Sequence, residues 1–244
     1  MDEILFNSNL ISNTELPFTA VNRMRFGDCV FETILWQNGE IPLLKYHLTR
    51  LQSSCAYLGF DFPTIDFKEA FIQLITANNF KKNVRIRLTV GRSEGELYTP
   101  ASTKSFCLIE ASPLPLSLEK KSNKLGIYTE NRKATSKLTN LKSGNALLSV
   151  MAKKYATENN LDDVLLLNER DEVVEASSSN VFFVKGTQLI TPPLSSGCIS
   201  GTMRSFIMDN ESVVEQTVYK DEVHSFDADV AVFKLAMRPE LVGN

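Results

Sequence analysis

The chain has 244 residues, with 26 basic and 29 acidic side chains, a net charge of −3 and 43% hydrophobic residues. That length supplies a full apolar core for one large or two small domains, and the near-balance of charge without single-sign blocks excludes a nucleic-acid footprint. No apolar run reaches membrane-spanning length and the start, Met1-Asp2-Glu3, is acidic rather than signal-like, so a cytoplasmic protein without membrane or nucleic-acid partners is expected.

Glu3 to Asn7 reads as a first strand, followed by a loop through Pro17. Cys29 to Gln37 alternates as a strand, Asn38-Gly39 is a two-residue hairpin turn, and Glu40 to Leu44 is the expected return strand. From Leu44 the period becomes helical, with Leu48, Leu51, Cys55 and Leu58 on one stripe and Gly59 as the stop. Phe67 to Ala77 is a second amphipathic helix, and Asn83 to Gly91 and Ser105 to Ala111 are strands. Ser112 to Lys124, with two prolines and a charge cluster, reads as a linker. The expected organisation is an α+β domain over 1–111, the linker 112–124 and a second domain over 125–244.

Beyond the linker, strands are expected at Leu125–Thr129, Val164–Leu167, Glu172–Glu175, Val181–Lys185, Gln188–Thr191, Val213–Val218 and Asp229–Phe233, with a short helix after Gly201-Thr202. The four cysteines (Cys29, Cys55, Cys107, Cys198) lack any Cys-x-x-Cys and read as buried thiols of a reducing compartment. With only His47 and His224, a metal site or a Ser-His-Asp triad is poorly supplied, and no metal is expected.

The stretch from Leu141 to Phe183 organises the chain. Its first half places Lys142 just ahead of an amphipathic helix, with Ala146, Leu147, Val150, Met151 and Tyr155 at three- and four-residue steps. Its second half reads as two strands joined by the polar corner Glu175-Ala176-Ser177-Ser178-Ser179-Asn180. A lysine can form a Schiff base with an aldehyde, and a carboxylate can hold a heterocyclic nitrogen protonated. Lys133 and Lys137 lie close enough to Lys142 to be rivals for the first role.

Assembled in order, these segments resemble the class IV aminotransferases, the fold-type-IV pyridoxal-phosphate enzymes, which include branched-chain transaminases, D-amino-acid transaminases and 4-amino-4-deoxychorismate lyase. The matching segments are Phe26-Gly27-Asp28-Cys29-Val30-Phe31-Glu32-Thr33, His47-x-x-Arg50-Leu51, Lys142-x-x-Asn145, Glu175 to Val181, and Gly201-Thr202-Met203-Arg204. The resemblance implies a two-domain fold like that of D-amino-acid aminotransferase, with a small α+β N-terminal domain and a larger pseudo-barrel-like C-terminal one. It further implies pyridoxal 5'-phosphate as cofactor, a small amino substrate and a homodimer.

By the same match, Lys142 is the Schiff-base lysine and Glu175 the partner of the pyridine nitrogen. Arg50, Ser179, Asn180, Thr202 and Met203 hold the cofactor, and Phe31, Thr33, Arg92 and Tyr98 line the substrate. His47 is left as a structural helix residue. Glu32-Thr33, the three-residue step from Lys142 to Asn145 and Tyr98-x-Pro100 resemble the lyase branch. Glu96-Leu97 depart from its usual Arg-Gly, and Phe233 to Pro239 is apolar where relatives carry a small polar step. A transaminase is the alternative activity, and a non-catalytic ligand-binding relative the alternative class.

Overall fold

The computed structural model describes residues 2–16, 18–115, 124–226 and 231–232, so the expected polar-to-apolar change at Phe233 to Pro239 lies outside the described residues. These form two compact units, and Lys142–Asn145 group with the first.

The first unit is built on one antiparallel sheet. Its strands are β1 (Glu3–Phe6), β2 (Asn9–Ser12), β3 (Cys29–Trp36), β4 (Val84–Arg92) and β7 (Ser105–Pro113), in the order β2-β1-β7-β4-β3. A two-residue hairpin pairs β5 (Gly95–Glu96) with β6 (Thr99–Pro100). Helices α1 (Leu44–Leu58) and α2 (Phe67–Ala77) cover one face. Beneath them Val30, Ile34, Leu51, Cys55, Phe71, Leu74, Ile86, Leu88 and Ile109 form the core. Each such fully buried large side chain contributes roughly 1.5–3 kcal/mol of transfer free energy.

Both helices end for local reasons. Asp66 caps α2 by accepting the Glu69 N–H at 3.0 Å. Gly59 ends α1 in the left-handed region, at φ +71°.

Two expectations for this unit are corrected. The loop before Pro17 contains β2, because Asn7 and Ser8 both take positive φ (48° and 69°) and turn the chain back onto β1. The return strand at Glu40 to Leu44 is reduced to a single bridge between Gln37 and Glu40. Pro42 has no N–H to donate, Leu43 is left-handed at φ 61°, and α1 begins at Leu44.

The second unit contains β8 (Leu125–Lys133), α3 (Leu147–Glu158), β9 (Asp163–Asn168) and β10 (Val173–Ala176), followed by β11 (Val181–Lys185), β12 (Gln188–Thr191), α4 (Thr202–Asn210), β13 (Val213–Glu215) and β14 (Ala231–Val232). One sheet has the order β10-β9-β8, with β8 and β9 parallel and α3 as their crossover; the other has the order β13-β12-β11-β14. β8 runs four residues past its expected end, while the strand expected over Val213–Val218 stops at Glu215. The expected stripe of α3 is corrected in part: Leu147 and Val150 are exposed, while Met151 and Tyr155 pack, with the buried Ala152 and Ala156, against Tyr128, Val164 and Leu166. All four cysteines are free and buried, and burial pushes the Cys55, Cys107 and Cys198 thiols up to about 12, which leaves them un-ionised and poor nucleophiles.

Candidate active site

Lys142 is fixed by backbone rather than by its own helix. The segment Lys142–Gly144 runs antiparallel to the start of β3: the Phe31 N–H donates to Lys142 O at 2.9 Å and the Gly144 N–H to Cys29 O at 3.0 Å. A Cβ on Gly144 would stand 2.7 Å from Cys29 Sγ, so only glycine permits this approach. The ammonium of Lys142 then lies 4.6 Å from the centre of the Phe31 ring. Its rivals are placed differently: Lys137 is exposed, and Lys133 is a buried member of an ion pair in the second unit.

On the helix-covered face of the same sheet, Glu32 is a buried carboxylate in an otherwise apolar row. Arg50 Nε donates to Glu32 Oε1 at 2.8 Å, one Nη donates to Oε2, and His47 Nδ1 lies 2.6 Å from Oε2. Burial by itself raises the Glu32 carboxyl, but the bonds from Arg50 and His47 outweigh it and hold the group below its ordinary range. Burial also dominates at His47, pushing the imidazole below its ordinary value, so the neutral ring donates from Nδ1. One pair of Arg50 donors faces Glu32, which orients the guanidinium. His47 belongs to this network, which sequence spacing did not reveal. The one signal was a charged Glu32 at a core-facing position of β3.

In the second unit Glu175 is buried at 5% exposure. Lys133 Nζ donates to its Oε1, and the Ile199 N–H donates to its Oε2 at 3.0 Å. A carboxylate has about four acceptor positions, so both oxygens can accept further bonds. Asn180 Nδ2 donates to Ile199 O at 2.8 Å, and Asn180 Oδ1 lies where any Cβ on Gly201 would fall, at 1.8 Å. Asn180 thus clamps the turn leading into α4. Ser179 Oγ is buried with no hydrogen-bond partner among the described residues.

Helix α4 opens without a side-chain cap at Gly201. The N–H groups of Thr202 and Met203 are the first of the helix, which have no carbonyl partner within it and form the positive end of its dipole. A buried carboxylate for a ring nitrogen and a helix N-terminus for a phosphate fit the donor and acceptor demands of pyridoxal phosphate, and the Ser179 hydroxyl is a further polar group without a hydrogen-bond partner among the described residues.

The substrate-loop residues divide. Thr33 and Phe31 are half-buried on the sheet face that the helices leave uncovered. Tyr98 is 83% exposed, its ring edge-on to Phe26 at 5.6 Å. Arg92 is 5% exposed and donates to Asp28 Oδ2 and to the carbonyls of Leu58, Gly59 and Ser102 at 2.7 to 3.1 Å. Its guanidinium ties the end of α1 to the β-strand loops. A cavity of about 260 Å³ lined by Trp36, Ile72, Ile75, Thr76, Asn79, Phe80 and Lys81 contains none of the expected site residues.

The order of elements and the sheet topology define a mixed α+β fold of type IV, and the solved structures agree. A branched-chain aminotransferase from Thermoproteus uzoniensis superposes with a TM-score of 0.83 at 24% identity, over 96% of this chain and 84% of that one. Residues 29–231 match the family model for amino-transferase class IV, and the chain belongs to that enzyme family. Two curated relatives carry different names. A protein of Methanocaldococcus jannaschii named "Putative branched-chain-amino-acid aminotransferase" is 30% identical over 239 residues, 92% of this chain and 82% of its own length. A Schizosaccharomyces pombe protein named "Putative aminodeoxychorismate lyase" is 31% identical over 186 residues, 76% of this chain and 75% of its own.

Proposed function

We propose that the chain is a pyridoxal-phosphate enzyme that eliminates pyruvate from 4-amino-4-deoxychorismate to give 4-aminobenzoate. The observation that carries the cofactor assignment is Glu175, a buried carboxylate with an ammonium on one oxygen and a backbone N–H on the other. When bound, the cofactor supplies an electron sink for the carbanion formed at the carbon that bears the substrate amine. Lys142 would hold the cofactor through its Nζ, and the same amine, when free, would take the proton from that carbon. Glu175 holds the proton on the ring nitrogen. Arg50, oriented by Glu32, and the N–H groups of Thr202 and Met203 hold the phosphate. Ser179 and Asn180 shape the ring's surroundings, and Phe31, Thr33 and Tyr98 line the substrate.

The lyase assignment draws on Glu32-Thr33, the Lys142-to-Asn145 step, Tyr98-x-Pro100 and the name of the S. pombe relative. A second reading, an amino-acid transaminase of the D-amino-acid or branched-chain type, is favoured by the commitment of Arg92 to structural contacts and by the name of the M. jannaschii relative. Two assays on one preparation separate them. Release of pyruvate and 4-aminobenzoate without a keto acid marks the lyase. Bleaching of the visible band by an amino donor, reversed by pyruvate or 2-oxoglutarate, marks the transaminase. Among the described residues no helix is long and apolar enough to cross a membrane, and a cytoplasmic homodimer with the domain boundary at 112–124 completes the proposal.

A further inference from the structure

The hairpin of β5 and β6 has two residues in each strand, and a two-stranded hairpin of that size is marginally stable at best on its own. Its tip adds little to hold it. Leu97 is 73% and Tyr98 83% exposed. Leu97 also takes φ 41°, a left-handed conformation that few residues other than glycine and asparagine adopt. The hairpin therefore depends on contacts from outside it.

Arg23 supplies them. It is 4% exposed, and its Nη1 donates to the Leu97 carbonyl. A Cβ on Gly95 would stand 3.2 Å from the Arg23 guanidinium carbon, so the guanidinium lies directly against the hairpin. On its other edge, Nε and Nη2 donate to Asp28 Oδ2 at 3.2 and 2.9 Å. The guanidinium carbon is 5.1 Å from the centre of the Phe26 ring, the ring that Tyr98 meets edge-on.

Phe26 and Asp28 flank Gly27, and a Cβ added to Gly27 would touch Asn145 Cβ at 3.6 Å. Asp28 leads directly into β3, the strand that pairs with Lys142–Gly144. One arginine thus ties the tip that carries Tyr98 to the frame that holds Lys142. The planar, diverging donors of a guanidinium can bridge a carboxylate and a carbonyl in this way, where the compact ammonium of a lysine is less suited to it.

We infer that Arg23 is a positioning residue: it latches the β5–β6 hairpin and so fixes Tyr98 for the substrate without touching the substrate itself. This rests on the reading that Tyr98 lines the substrate. An unlatched hairpin has to be ordered when substrate binds, and that ordering is subtracted from the binding free energy. The latch is therefore felt in KM more than in kcat.

The test is a double-mutant cycle on the holoenzyme, using the amino substrate that the wild type turns over. Arg23→Met leaves Asp28 paired with Arg92, so no carboxylate is stranded. It should raise KM by about 10- to 100-fold, the range of a lost hydrogen bond from a charged donor, with kcat little changed. In a Tyr98→Ala background the same substitution should add less than about 2-fold, because the residue it positions is gone. Arg23→Lys should restore part of the loss, and Arg23→Gln repeats the test with a polar replacement. Chymotrypsin should cut the folded Arg23→Met protein after Leu97 or Tyr98 faster than the wild type by a similar factor, since cleavage follows the opened population. Equal effects in both backgrounds, a loss in kcat at constant KM, or unchanged KM and cleavage would overturn the inference. So would a change in sedimentation of Arg23→Met, which would make the hairpin a subunit contact instead. A wild type that turns over no amino substrate would refute the functional reading, while the cleavage rates would still decide the latch.

Discussion

Lys133 and Glu175, 42 positions apart in sequence, form a buried ion pair in which the lysine ammonium donates to one carboxylate oxygen. The lysine nearest in type to a catalytic amine is thereby committed to the carboxylate that would hold the cofactor ring. Removing either partner leaves an uncompensated buried charge. Lys133→Met should cost about 3–5 kcal/mol in urea denaturation, and adding Glu175→Gln should return part of it. A single variant within about 0.5 kcal/mol of the wild type would show that the pair is not formed.

Glu175→Gln should keep the cofactor and lose roughly 10²- to 10⁴-fold in rate, because a neutral amide cannot hold the ring proton. The absorbance of the bound cofactor and kcat are measured together. Near-normal turnover in this variant would take Glu175 out of the chemistry.

The Glu32–His47 network predicts an acid-sensitive first unit. His47 is depressed from its ordinary 6.5, chiefly by burial, so below about that pH the unfolded chain binds the extra proton and stability falls. Glu32 is held below its ordinary 4.5, so its contribution is present above that pH and is lost as pH falls through the lower folded value. The His47 contribution has a slope of at most about 1.4 kcal/mol per pH unit. Denaturation midpoints between pH 7.5 and 5.5 should therefore fall less steeply for His47→Gln than for the wild type. Parallel profiles would contradict the assignment.

The helices and strands of the first unit were largely legible, and the chemistry less so. Phe67 to Ala77 was placed at its observed ends because periodicity and flanking residues agree there. β2 was missed because its turn is Asn7-Ser8, and serine at positive φ is not a turn signal that sequence provides. Lys142, Glu175 and Arg50 could be singled out by type and spacing. Their partners could not, because Glu32 reaches Arg50 across 18 residues and Lys133 reaches Glu175 across 42. Arg92 reads from sequence as a substrate ligand beside a glycine-containing loop, and the carbonyls of Leu58, Gly59 and Ser102 that converge on it could not be read there.

Sedimentation at micromolar concentration should give a homodimer. Ile34 and Leu35 are buried in the core, while Phe26, Leu97 and Tyr98 are exposed and offer apolar surface to a second copy. A monomer with full activity would contradict this.

Lys142 is proposed as the lysine that carries pyridoxal phosphate. The holoenzyme is reduced with borohydride, digested, and the modified peptide identified by mass spectrometry, with Lys142→Ala as the companion variant. The account predicts the modification on Lys142, and a folded Lys142→Ala protein without the visible band or activity. Modification of Lys133 or Lys137, with the band intact in Lys142→Ala, would contradict it.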